Sequence, residues 1–122
     1  MNLTGDAAAG AAIFKQECEK CHGPEGKGVP RVGAALAGSA YVNGDAGVLA
    51  RILLHGKEGA IGLMPPVGTM ADEDLAAILT YIRGSFGNTG DPVNLIAVKE
   101  YRQAYSHRDR PWTEEELDRP AR

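Results

Sequence analysis

Cysteine is almost absent from this chain: of 122 residues only Cys18 and Cys21 are cysteines, and the three histidines, His22, His55 and His107, are scattered. A structural zinc site wants four ligands, usually with a second Cys or His pair, and the sequence offers none. No run of apolar residues approaches the length of a bilayer span. Met1-Asn2-Leu3-Thr4-Gly5-Asp6 has neither the basic nor the apolar region of a secretory signal. A formal net charge of −3 with no block of one sign argues against nucleic acid as the partner. Nor is there a nucleophile–base pair or a pair of catalytic carboxylates, since Asp72, Glu73 and Asp74 read as the first-turn charges of a helix. The glycine-rich segment after residue 22 lacks the preceding strand and the GK[ST] ending of a phosphate loop.

What the sequence does have is Cys18-Glu19-Lys20-Cys21-His22. Two thiols three positions apart can each add to one vinyl group of a porphyrin, while the next side chain swings its imidazole under the iron. The spacing therefore reads as a covalent haem-attachment site, with Cys18 and Cys21 as thioether anchors and His22 as the proximal ligand. A redox-active dithiol remains open, although no strand precedes it, as does a plain disulfide closing a loop too small to stabilise much. One haem c would supply much of the core that so short a chain lacks. Covalent attachment of this kind implies a periplasmic or otherwise extracytoplasmic compartment and a leader already removed.

Around that motif the chain reads as helices. Thr4 to Asp6 offers capping side chains before the helix-forming run from Ala7 to Cys18. Gly10 is out of place there unless a later helix packs on it, beside Phe14 four positions on. Gly23 to Gly33 is loop, and Val29, Val32 and Leu36 can face the ring while a backbone carbonyl of this region holds the second nitrogen of His22. Asn43, Gly44 and Asp45 cap a helix from about Ala46 to His55 whose inward face is Val48, Leu49, Ile52 and Leu53. His55 reads as a surface residue at that helix end, with iron ligation the lesser alternative. Glu58 to Gly68 is expected to be an apolar loop. A helix from about Ala71 to Arg83 follows, with Leu75, Ile78, Leu79 and Ile82 as its buried stripe and Tyr81 placed to meet Gly10 and Phe14.

Met64 sits in that apolar loop beside Leu63 and ahead of Pro65 and Pro66, which cut the backbone freedom. A methionine on a stiff loop suits a distal iron ligand. Met70 is the rival, but Thr69 and Asp72 suggest a capping box that gives it a packing role instead. Ile52, Leu63 and Leu79 join Val29, Val32 and Leu36 as the expected pocket lining.

These pieces resemble a class I cytochrome c over roughly Asp6 to Asn88: Gly10 with Phe14, CEKCH, the GPEGKGVP loop, LMPP, and the ADEDLAAILTYIRGSFGN helix. Within that family the chain is most similar to the small subunits or domains that accompany periplasmic dehydrogenases and oxidases. The resemblance implies an all-α fold wrapped around one haem, with the methionine of the MP motif, here Met64, as sixth ligand. The family often has proline where this chain has Ala34 or Ala35, and the carbonyl there usually accepts from the proximal histidine.

Residues 1–90 thus read as a haem domain and residues 91–122 as a C-terminal helical extension. A helix is expected from Asp91-Pro92 with Val93, Ile96, Ala97, Tyr101 and Tyr105 on its apolar side, then a turn containing a solvated His107, then a capping box at Thr113 opening a short final helix. The extension reads as a strap anchored by Trp112 and Leu117, or else as a docking element for a partner subunit. The expected function is one-electron transfer between a dehydrogenase donor and an oxidase or cytochrome acceptor, with no second chemistry. Two alternatives are a haem protein whose distal Met64 is displaced by a small ligand such as carbon monoxide, nitric oxide or peroxide, and a structural haem domain of a larger complex.

Overall fold

Asp6 opens the first helix. Its carboxylate accepts from the amides of Ala8 (2.9 Å) and Ala9 (3.3 Å), capping α1, Ala7–Glu17. The computed structural model describes residues 3–119, and the expectation of a removed leader draws in part on Met1 and Asn2, which lie outside them. A second helical turn, α2 (Glu19–His22), follows at once. Ser39 caps α3 (Ala40–Asn43) and Asp45 caps α4 (Ala46–His55), each through its side-chain oxygen.

The main crossing is between α1 and α5, Asp72–Gly84. A Cβ on Gly10 would stand 2.2 Å from the Ala77 carbonyl oxygen, so the two backbones meet where any side chain would part them. Phe14, 2 % exposed, packs its ring against Tyr81 and Phe86 at centroid distances of 5.6 and 5.2 Å. Leu75, Ile78, Leu79 and Ile82 form the buried stripe expected of α5 and join Leu49, Leu53 and Leu54 of α4 in one core.

Three expectations need correction. Between α4 and α5 the chain is not all loop: β1 (Lys57–Gly59) and β2 (Gly62–Met64) form an antiparallel hairpin pairing Lys57 with Met64, its turn flanked by glycines. Thr69 and Asp72 form no capping box. The N-cap of α5 is Ala71, which has no side chain to cap with, and the Asp72 carboxylate is bound instead by Arg102 at 2.7 Å. The next helix, α6, runs Leu95–Ala104 behind an Asn94 cap, later than Asp91-Pro92, because the residues before it are used in extended form: Val93 O accepts from Gly5 N (2.9 Å), and Thr80 Oγ1 both donates to Val93 O and accepts from Val93 N. The shift turns Ile96 outward, 52 % exposed, and brings Val98 in at 2 %.

Past α6 the chain turns back over α4 to α7, Glu114–Asp118, whose Thr113 cap and Glu116 form the expected capping box. Trp112 and Leu117 are buried in a second cluster with Ile52. The Trp112 ring lies between Arg108, 3.5 Å from its centroid, and Arg51, at 4.9 Å, with Tyr105 edge-on. Its backbone is stitched to the root of the hairpin: Trp112 N donates to Gly56 O (3.0 Å), and Glu58 N to Trp112 O (2.8 Å). His107 is exposed, as expected. No helix among the described residues is long and apolar enough to cross a membrane.

Candidate functional site

Cys18 ends α1 and opens α2, so the single turn of α2 sets Cys18, Cys21 and His22 together, with His22 N donating to Cys18 O at 3.0 Å. Both thiols are free, Cys18 buried and Cys21 exposed. Burial foremost, with the charge of Glu17 and then Cys21 adding to it, pushes the Cys18 thiol up to about 11. A thiol held protonated is the reverse of what a redox dithiol requires. Among the described residues, moreover, no three His, Cys, Asp or Glu side chains gather as a metal cluster.

His22 is 9 % exposed, and its Nδ1 lies 2.7 Å from Ala34 O. A carbonyl oxygen only accepts, so Nδ1 carries the proton and the lone pair of Nε2 is left for a metal. The loop that delivers Ala34 is fixed at several points. Leu36 N and Ala37 N both donate to Gly26 O (2.7 and 3.0 Å), and Gly33 lies so close to the attachment turn that a Cβ would stand 2.2 Å from Cys21 O. Its far end is held by Asn88, 6 % exposed, whose amide donates to Leu36 O and Ile82 O and accepts from Gly38 N and Asn43. Arg83 fixes the neighbouring turn through Val42 O, Gly44 O and Asp91 O. Neither residue was picked out from the sequence; an asparagine and an arginine at a helix end are too common to signal such a role.

Met64 closes β2, half-buried, and packs against both the main core and the Ile52–Trp112–Leu117 cluster. Met70 is also half-buried but packs on the main core alone. Leu36 packs on the same core, of which Leu79 is a buried member; Val29 is half-buried, while Val32 (52 %) and Leu63 (60 %) stand exposed with Ile61 (49 %). The structure thus groups Met64 with Leu36, Ile52 and Leu79 through the two clusters and leaves Val32 and Leu63 outside them. His55 departs from its surface assignment: its Nδ1 is buried without a hydrogen-bond partner among the described residues. Burial, then the charge of Arg108, lowers its pKa.

This donor set fits a haem. It comprises an imidazole oriented by a backbone carbonyl, a thioether on a proline-bounded strand end, two unpaired thiols beside the imidazole, and apolar side chains exposed nearby in sequence.

Residues 5–82 match a family model described as cytochrome c oxidase, cbb3-type, subunit III. Over 102 residues the chain is 28 % identical to the cytochrome c subunit of the quinone alcohol dehydrogenase of Gluconobacter oxydans (strain 621H), covering 72 % of this chain and 20 % of that protein. Against the gluconate 2-dehydrogenase cytochrome c subunit of Pantoea cypripedii the identity is 33 % over 96 residues, or 68 % of this chain and 21 % of the other. Against cytochrome c-552 of Thermus thermophilus it is 32 % over 93 residues, or 66 % and 70 %. The chain spans about a fifth of the length of the two dehydrogenase subunits, and its residues beyond 82 lie outside the family match.

Proposed function

The chain belongs to the cytochrome c family and is an electron-transfer protein, and from that premise we propose that it carries single electrons on one haem c, bound covalently through Cys18 and Cys21 with His22 and Met64 as axial ligands. When bound, the haem supplies a one-electron iron couple. His22 would hold the iron through Nε2, its orientation and basicity set by the bond to Ala34 O. Met64 would supply a thioether to the same iron, which would favour the ferrous state and raise the potential into the range of respiratory partners. If both residues held the iron, no coordination site would be left for a substrate, and the chain would act as a carrier rather than as an enzyme in its own right. In this reading residues 1–90 hold the haem and residues 91–122 pack upon that domain.

The observation that carries the proposal is the His22–Ala34 bond beside two free cysteines. The partners proposed are a periplasmic dehydrogenase as donor and an oxidase or a second cytochrome as acceptor; the names of two relatives, both dehydrogenase subunits, support the donor class. The test is a pyridine haemochrome together with visible spectra in both oxidation states and a redox titration of the same sample. A c-type haemochrome, low-spin features in both states and colour that stays with the polypeptide through acid–acetone are expected. Extractable haem would overturn the thioethers, and a high-spin spectrum the axial pair.

A further inference from the structure

We propose that Arg102, from the C-terminal extension, is a positioning residue for the distal ligand, clamping the segment that follows Met64. The inference rests on the reading of Met64 as that ligand. Arg102 lies on α6 and reaches across to the stretch between β2 and α5 with each of its three guanidinium nitrogens. Nε donates to Asp72 Oδ1 (2.7 Å), Nη1 to Gly68 O, and Nη2 to Met70 O (2.7 Å). Three acceptors spread over five residues are gathered on one planar fork, a geometry an ammonium cannot reproduce.

The segment has only a few other ties. Val67 N donates to Leu53 O (2.8 Å) and Met70 N to Val67 O (3.0 Å), while Ala71 offers α5 no side-chain cap. Arg102 only donates, so it does not cap the helix amides; it ties down the carboxylate of the first helical residue and the carbonyls leading to it. The extension grips the other side of Met64 as well. Met64 pairs with Lys57 in the hairpin, and the residues on either side of Lys57 are hydrogen-bonded to the Trp112 backbone. Met64 is therefore bracketed on both sides by contacts from residues beyond 90. A strap that merely covered the core would have no need to place a guanidinium fork on these carbonyls, and the side chains of Arg102 and Asp72 are part-buried, 36 % and 23 % exposed. A sulfur held on a fixed backbone leaves the iron rarely; one on a loosened segment gives way more readily to a competing ligand.

The experiment uses the haem-loaded full chain and imidazole as probe, with affinity and on-rate measured on the ferric form beside the melting temperature. Arg102→Met should bind imidazole about tenfold more tightly than the parent, the scale of losing one charge-assisted hydrogen bond. Arg102→Lys should fall between the two, and the isosteric Asp72→Asn should show a smaller increase and serves where Arg102→Met fails to take up haem. Unchanged imidazole binding in a folded Arg102→Met, even with a lowered melting temperature, would make Arg102 a strap anchor only and overturn the proposal. Met64→Ala separates the two failures. If it leaves the spin state unchanged, the reading of Met64 falls and the clamp with it; if it opens the iron while Arg102→Met binds imidazole like the parent, the clamp alone falls.

Discussion

His22 Nδ1 donates to the Ala34 carbonyl oxygen over 2.7 Å, with no proline to stiffen the accepting residue. The bond survives because the loop is held elsewhere, by Gly26 O behind it and Asn88 beyond. Replacing His22 should therefore be the most damaging change at the attachment turn. Cys18→Ala or Cys21→Ala should each keep haem through the remaining thioether, whereas His22→Ala should lose the low-spin spectrum altogether. Haem staining after denaturing electrophoresis and a visible spectrum of each variant check the order.

Gly10 makes a sharper test of the scaffold. Alanine would gain about 1 kcal/mol in helix propensity, yet its methyl carbon would sit 2.2 Å from Ala77 O and 2.6 Å from Tyr81 Cβ. The two helices must then separate, at an overpacking cost of about 1–3 kcal/mol or more. Gly10→Ala should be net destabilising by chemical denaturation, the opposite of what propensity alone predicts.

Docking should involve the exposed Lys20 and Lys27 and the loop of Met64, Pro65, Pro66 and Val67, with the exposed apolar Leu63 beside it in sequence, through a transient interface of under about 1,200 Å². Among the described residues Lys27 is paired only with Glu25, at 3.7 Å and with both side chains over 70 % exposed, so its loss costs the fold almost nothing. Lys20→Glu and Lys27→Glu should slow reduction by a dehydrogenase partner and weaken its salt dependence, with the potential unmoved. Stopped-flow rates against ionic strength decide this, and unchanged kinetics would move the docking surface to the extension.

The parts legible in the sequence are those whose cause is local. Asp45 with the apolar spacing of Leu49, Ile52 and Leu53 marks α4, Thr113 with Glu116 marks α7, and the attachment motif states its chemistry within five residues. What escaped is set by groups far apart in the chain. Asn88 bonds to Leu36 and Asn43, and Arg102 binds the Asp72 carboxylate that its neighbours suggest for a capping box. Likewise α6 starts late because Gly5 and Thr80 claim the backbone of Val93. None of these competitions leaves a trace in local propensity or period.

Acid should release the strap before it unfolds the rest. Glu116 receives a bidentate fork from Arg108 (2.7 and 3.0 Å), and that bond first, then the Thr113 amide, brings its carboxyl from 4.5 down to about 2. A carboxylate with a lowered folded pKa contributes stability that is complete above pH 4.5 and is lost as pH falls toward 2. Trp112, stacked on Arg108, is the chain's only tryptophan and should report the release through its fluorescence in that window. Glu116→Gln should loosen the strap already at neutral pH and abolish the step.

The two methionines make the decisive pair. Met64→Ala should open the sixth position, give a high-spin or water-ligated ferric haem and lower the reduction potential, because a thioether favours ferrous iron. The fold should persist, since the α5 stripe of Leu75, Ile78, Leu79 and Ile82 lies in the core on its own helix. Met70→Ala should leave the spectrum alone, because its backbone rather than its sulfur is engaged: Met70 N donates to Val67 O and Met70 O accepts from Arg102. Its half-buried side chain should cost about 1–2 kcal/mol, below the range for a fully buried methionine. Spin state, potential and denaturation midpoint measured on both variants separate ligation from packing. A spin change in Met70→Ala without one in Met64→Ala would reverse the assignment. No change in either would turn attention to His55, at the end of α4.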